Sequence, residues 1–287
     1  MSKLGHEDLF WRRLAHWGAS RGPDWWVRVS PPFFGAAAAA VVPQARRAVV
    51  RNLRRIHGRR APADEARDVL ATFATYASCF AETLSNDAPS GPKRPRATIF
   101  GELHIRRALG AGRGVVMVTA HTAGWEAVGP LLAKDYHLPF LLVMAPEPDD
   151  RARAISDEAR RRSGVAIAHV GDPLASLPLL RHVREGGIVG LQLDRAAPGM
   201  RMRDVEVLGA PGAIPEGPLR LAQLTGAPLL PIFCAREGHR RYAVHACEPR
   251  WIDRRATGAD LDAAAQNLAD EMTRFLRAHP TQWFHWA

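Results

Sequence analysis

The sequence predicts an α/β fold, with a mixed, largely parallel sheet flanked by helices and preceded by a helical N-terminal region. Two observations carry this. Short apolar runs such as Val115–Thr119 (VVMVT), Phe140–Met144 (FLLVM) and Ile188–Leu193 (IVGLQL) alternate with segments of helical spacing, the signature of strands covered by helices. The first ninety residues lack such runs and read as helical throughout. At 287 residues and 47% hydrophobic, the chain can bury a substantial core.

In chain order, Gln44–Ile56 places apolar residues at helical spacing against arginines and closes at Gly58. Pro62 and Asp64 start the next helix, Ala63 to about Leu84, whose expected apolar face is Val69, Leu70, Phe73, Tyr76 and Phe80. The loop Asp87–Arg96 holds Pro89, Pro92, Pro95 and Gly91, which makes it the best internal boundary. The chain therefore divides into a helical region over 1–90, which packs on the main domain and associates with a membrane, and an α/β domain over 91–287.

After that boundary, a strand over Val115–Thr119 leads to a helix over about Trp125–Lys134. A strand over Phe140–Met144 leads to an arginine-rich helix over about Asp150–Ser163. A short strand at Val165–Ala168 is followed by a helix near Leu174–Glu185, and Ile188–Leu193 is a strand running into Asp194. The remaining elements are a helix at Pro218–Thr225, strands at Pro228–Cys234 and Tyr242–Ala246, and a closing helix over Ala259–Ala278.

The net charge is +10, and only Lys3, Lys93 and Lys134 contribute lysine. A basic surface favours anionic lipid, nucleic acid or an acidic partner, although a coding bias toward arginine raises the charge with no ligand selected. Three scattered cysteines, Cys79, Cys234 and Cys247, supply neither a disulfide framework nor a CxxC metal site. His239 with His245, and His279 with His285, lack a metal-ligand pattern. No window reaches the roughly 18 to 20 apolar residues that span a bilayer; the nearest, Pro31–Val42, is short and mostly alanine. Phe10, Trp11, Trp17, Trp25, Trp26, Phe33 and Phe34 nevertheless sit among Arg12, Arg13, Arg21 and Arg28. That is the composition of a helix lying in a membrane interface, with packing on the domain as the alternative.

Chemistry concentrates in VVMVTAHTAGWE. His121 follows a strand directly, at the sheet edge where α/β folds bind ligands. Glu126 lies five residues on, a spacing that in one helix would rotate the two about 140° apart. They can meet only through a turn, for which Thr122, Ala123 and Gly124 are suited. A carboxylate beside an imidazole sets its tautomer and raises its basicity, making a general base. Two other patterns carry less. Gly18-Ala-Ser20-Arg-Gly22 fits G-x-S-x-G without the strand that such an elbow requires. Gly110, Gly112 and Gly114 precede a strand and make a turn, not a dinucleotide site.

His-Thr-Ala-Gly-Trp-Glu resembles the H-x4-[DE] motif of the glycerolipid acyltransferase superfamily. In its Gly-Trp-Glu form it is similar to the bacterial lipid A biosynthesis (lauroyl/myristoyl) acyltransferases and the related phosphatidylinositol mannoside acyltransferases. RAVVRNLR at 47–54, GGIVGLQLD at 186–194, PEGPLRLAQLTGAPLLPIF at 215–233 and HPTQW at 279–283 resemble further family segments in the same order.

The resemblance implies direct transfer of a fatty acyl group from an acyl carrier protein or coenzyme A thioester to a lipid or glycolipid hydroxyl, lipid A-type late acylation being the leading case. No cofactor is implied beyond the thioester co-substrate. His121 would act as general base and Glu126 would orient it, with oxyanion donors from the Thr122–Gly124 backbone or an arginine. Asp194 would bind the acceptor or tether an active-site arginine, unless it is an N-cap or an ion-pair partner of Arg195. Glu216 and Gly217 would bind substrate, with Arg160 and Arg220 as phosphate or pantetheine contacts. The implied location is the cytoplasmic face of a bacterial inner membrane, peripheral and on anionic lipid.

One segment departs from the family. Met144-Ala145-Pro146-Glu147 stands where the lipid A enzymes carry a Tyr-Arg pair, removing a residue that a phosphorylated saccharide acceptor would use. The same dyad could serve a phospholipid, an amine or a secondary-metabolite acceptor. A noncatalytic basic protein binding membrane or nucleic acid would need neither the dyad nor the ordered segments after it.

Overall fold

The computed structural model describes residues 22–85, 95–126, 138–144, 165–169, 176–196 and 199–286. The expected helix over Asp150–Ser163, with Arg160, and the continuation of the Trp125 helix past Glu126 lie outside the described residues.

Four helices come first: α1 (Asp24–Val29), α2 (Pro31–Val41), α3 (Pro43–His57) and α4 (Pro62–Leu84). Pro31, Pro43 and Pro62 each sit at a helix start, where the missing N–H costs nothing and the fixed φ suits the first turn. Gly58 closes α3 at φ +77°. Helix α2 lies so close to α4 that a Cβ on Gly35 would meet the Phe73 carbonyl, so glycine is required there by approach. No helix among the described residues is long and apolar enough to cross a membrane.

The buried face of α4 differs from the apolar stripe expected of it. Val69 and Phe73 are buried, but so are Thr72, Ser78, Cys79 and Glu82, while Leu70, Tyr76 and Phe80 are exposed. The polar members are satisfied. Thr72 and Ser78 hydroxyls donate to the carbonyls of Asp68 and Ala74 one turn back, and Glu82 meets groups from the sheet. Hydrophobicity alone therefore misreads the facing of this helix.

The seven-stranded sheet runs in the order β1-β9-β8-β2-β5-β3-β4. Its strands are β1 (Arg96–Phe100), β2 (Val115–Thr119), β3 (Phe140–Met144), β4 (Val165–His169), β5 (Ile188–Gln192), β8 (Leu229–Gly238) and β9 (Arg241–Ala246). Every pairing is parallel except β8 with β9. A two-stranded antiparallel ribbon, β6 (Met202–Val207) with β7 (Ala210–Pro215), stands apart. Helices α5 (Glu102–Gly110), α6 (Ser176–Arg184), α7 (Gly217–Thr225) and α8 (Gly258–Ala278) complete the fold.

Alternate residues of the strands fill two cores, as a pleat requires. Val116, Val118, Leu141 and Val189 pack with Leu219, Leu268 and Met272 of α7 and α8. Val115, Met117, Phe140, Leu142 and Ile188 pack with Ile105 and Ala108 of α5 on the other face. The sequence reading missed β1, α5 and the β6–β7 ribbon. Strand β1 is an edge whose residues alternate between exposed and half-buried, so it shows no continuous apolar run. The ribbon turns at Leu208 and Gly209, both at positive φ, without the Asn-Gly or Asp-Gly pair that announces a hairpin.

Candidate active site

The site is built on the parallel pairing of β2 with β5, which sets Thr119 opposite Gln192. Parallel strands lie about 4.8 Å apart, so residues at equal distance past the two ends face one another. His121 and Asp194 each lie two positions beyond that pair, and Leu193 N–H still donates to Thr119 O at 2.8 Å. The outcome is a contact between the His121 imidazole and a carboxylate: Nδ1 of His121 lies 2.8 Å from Asp194 Oδ1. The His121 backbone N–H donates to Asp194 Oδ2 at 3.1 Å, and Trp283 Nε1–H donates to the same oxygen at 2.9 Å.

With Asp194 ionised, Nδ1 carries the proton and Nε2 becomes the basic nitrogen, the tautomer of a general base. The Asp194 side chain is 1% exposed and that of His121 11%. Burial would push the Asp194 carboxyl up. The bond and charge of His121, with the Trp283 and backbone donors, outweigh it and hold the group at about 2.

That depression has a pH consequence. A carboxyl at 3.8 in the unfolded chain and about 2 in the folded one contributes about 2 kcal/mol of stability. Because the folded value is the lower one, the contribution is complete above pH 4 and is lost as pH falls toward 2. In urea denaturation, the stability gap between the native protein and Asp194→Asn should therefore narrow between pH 4 and pH 2. A gap that stayed constant down to pH 2 would show that Asp194 is not held in this way.

The expected turn between His121 and Glu126 is present. Gly124 sits at φ +81°, and Trp125 and Glu126 open the following helix. A Cβ on Gly124 would overlap the Tyr242 ring, so glycine is required both by conformation and by space. A carboxylate that bonds the imidazole is Asp194, which the sequence did not pair with it; Glu126, the expected partner, is half-buried on the next turn. Trp125 packs edge-on to His121 with ring centroids 5.5 Å apart.

Among the described residues no helix begins at Asp194 and no ion pair joins it to its neighbour; Arg195 Nη2 donates to Phe284 O at 2.6 Å. Nor do the turn amides point at a vacant oxyanion position. Thr122, Ala123 and Trp125 donate to the carbonyls of Ala120, Gln282 and Thr122.

Behind the turn lies a buried ionic cluster that the sequence did not reveal. Glu82 Oε1 accepts from Arg236 Nε and Nη2 at 3.0 and 2.7 Å, and Tyr242 Oη donates to Glu82 Oε2 at 2.5 Å. Cys79, Ala123, Tyr242 and Phe284 pack together beside it. The Tyr242 ring thus fills the space that Gly124 leaves, and Glu82 holds that ring in place.

Glu216, Gly217 and Arg220 fall at the start of α7. Glu216 is buried between Arg203 Nη2 at 3.1 Å and Arg220 Nε at 2.5 Å, while Arg203 also reaches Asp262. Burial would raise Glu216, but the bonds from Arg220 and Arg203 dominate and lower its carboxyl below the ordinary range. This cluster ties the ribbon to α7 and α8, and among the described residues it is bonded to neither His121 nor Asp194. Among those residues no group of three or more His, Cys, Asp or Glu side chains is placed to hold a metal.

The family model described as bacterial lipid A biosynthesis acyltransferase matches residues 14–286. The chain is 28% identical over 191 residues to a phosphatidylinositol mannoside acyltransferase of Mycobacterium tuberculosis strain CDC 1551, covering 64% of this chain and 57% of that one. It is 27% identical over 238 residues to the protein of the same name from Mycolicibacterium smegmatis, covering 81% and 75%. The chain thus spans little more than half the length of the first relative. A crystal structure of a 1-acyl-sn-glycerophosphate (LPA) acyltransferase from Thermotoga maritima aligns over 89% of this chain and 97% of that one, with TM-score 0.41 and 13% identity.

Proposed function

The chain belongs to the bacterial lipid A biosynthesis acyltransferase family, and on that premise we propose that it transfers a fatty acyl group from a thioester to a hydroxyl of a glycolipid. The observation that carries the proposal is the imidazole of His121 at a sheet edge, its Nδ1 held by the buried carboxylate of Asp194.

In the proposed reaction His121 Nε2 removes the acceptor hydroxyl proton as the oxygen attacks the thioester carbonyl. Collapse of the tetrahedral intermediate expels the thiolate, which takes the proton back from the imidazolium, leaving ester and thiol. Asp194 keeps the ring in its tautomer and stabilises the imidazolium. Glu126 stays in the proposal as the acidic member of the family motif, on the turn that follows. With the turn amides engaged by protein groups, the oxyanion donor is assigned to an arginine. Arg195 is the candidate, since it is anchored on the segment that closes over His121.

Similarity to the mycobacterial enzymes, together with Met144-Ala145 in place of the Tyr-Arg pair, favours a mannosylated phosphoinositide acceptor as the second reading beside a lipid A precursor. Acyl carrier protein or coenzyme A would carry the acyl group. The surface supports work at a membrane. Trp25, Phe33, Phe34 and Val41 are more than 60% exposed, and Trp26 contacts both Trp25 and Phe34. Exposed apolar patches of this kind mark lipid or protein contact sites; Arg28 lies on α1 with Trp25, and Arg47 and Arg51 on α3, the next helix after α2. We place the protein peripherally on the cytoplasmic face of an inner membrane.

The test supplies radiolabelled acyl carrier protein and coenzyme A thioesters to the purified protein. The acceptors are vesicles with or without anionic lipid, each containing lipid A precursor, phosphatidylinositol mannoside or lysophospholipid. Labelled glycolipid is expected, with the protein floating on anionic vesicles. Absence of label in every lipid would refute acyl transfer, and protein left at the bottom of the gradient would refute the membrane assignment.

A further inference from the structure

The catalytic turn is closed by a segment far along the chain. Residues 282–284 run antiparallel to 121–123, with Thr122 and Trp283 paired in a bridge. Ala123 N–H donates to Gln282 O at 3.1 Å and Phe284 N–H to His121 O at 2.7 Å. The Gln282 amide clasps the Arg236 backbone in both directions, accepting from its N–H at 2.7 Å and donating to its carbonyl at 3.2 Å. Asn52 Nδ2 of α3 donates to His285 O at 2.5 Å.

This strap delivers one side-chain donor to the dyad. Trp283 is 4% exposed, and its Nε1–H reaches Asp194 Oδ2, the oxygen facing away from the ring contact. A carboxylate torsion is broad and roughly two-fold, and both other donors to Asp194, the imidazole and a backbone N–H, belong to His121 itself. The indole is the donor from a separate segment, so it fixes the carboxylate independently of the residue that the carboxylate must aim.

We propose that Trp283 is a positioning residue of the reaction: its indole N–H fixes the Asp194 carboxylate, and through it the tautomer and aim of His121. The strap is therefore part of the catalytic apparatus, beyond its role in packing. This rests on the general-base reading of His121. With the indole donor gone, the Asp194 carboxylate is the more basic and holds the Nδ1 proton more strongly, while the ring loses its aim.

The experiment replaces Trp283 with β-(3-benzothienyl)alanine, which keeps the bicyclic shape and substitutes sulfur for N–H, alongside Trp283→Phe. With the sulfur analogue, kcat should fall about tenfold, as small misplacements of a catalytic group do. KM should be unchanged, and the acidic limb of the pH–rate profile should move to higher pH. The His121 Nδ1–H proton resonance, read by NMR without substrate, should also shift. That readout separates failure of the positioning role from failure of the acyltransferase reading. Wild-type kcat, pH limb and resonance in the sulfur analogue would overturn the proposal, even if Trp283→Phe were poorly folded. A rise in KM with the limb and resonance unmoved would also overturn it, since that would leave Trp283 a pocket wall.

Discussion

Replacing His121 with alanine is expected to lower stability, and to lower kcat for acyl transfer by about a hundred- to ten-thousand-fold, the range that a positioned general base supplies. The stability loss follows from Asp194. Its side chain is 1% exposed, and without the imidazole its carboxylate keeps the His121 backbone N–H and the Trp283 indole as its donors. Asp194→Asn should reproduce much of the loss, because an amide cannot stabilise the imidazolium as a carboxylate does. Measuring kcat and KM on one thioester and one acceptor decides the matter. Turnover in the alanine variant within a fewfold of the native protein would remove His121 from the chemistry.

The second large effect is on folding. Glu82→Ala should destabilise the protein by about 3 to 5 kcal/mol, the cost of leaving a buried charge without its partner. Glu82 is 4% exposed in its side chain and Arg236 16%, so solvent can compensate little of the loss. Tyr242 would lose its acceptor in the same step, and its ring is what packs into the space beside Gly124. Activity should therefore fall along with stability. The double variant Glu82→Ala with Arg236→Met should regain much of the stability, since it removes the stranded guanidinium. Urea denaturation of the two variants tests this, and equal destabilisation in both would show that the ion pair is not the cause.

Most of the elements were legible because their signals are local. Strands β2 and β3 are continuous apolar runs between polar segments, and their bounds match those expected from sequence. Prolines opened the helices and Gly58 closed one. The misreadings share a cause. Helix α4 buries Glu82, Thr72 and Ser78 because each finds a partner, and a hydrophobic pattern carries no record of partners. The edge strand β1 and the ribbon lack the apolar runs by which strands announce themselves.

At the site, His121 was legible as the residue following a strand, and Gly124 as the hinge of a turn, since both depend on adjacent residues alone. Asp194 was legible as a strand-end acid, but not its partner. It meets His121 across 73 positions of sequence and Trp283 across 89. Only the order of strands, which sets β5 against β2 in parallel register, brings the first pair together. Only the return of the segment after α8 brings the second.

The sequence by itself thus determined the class of fold, the family, the imidazole and the turn that carries it. The tertiary structure decided that Asp194 meets that imidazole and what holds its carboxylate. The physical reason is that periodicity and turn chemistry act over a few residues, whereas hydrogen-bond partners are chosen by strand register and packing across the whole chain.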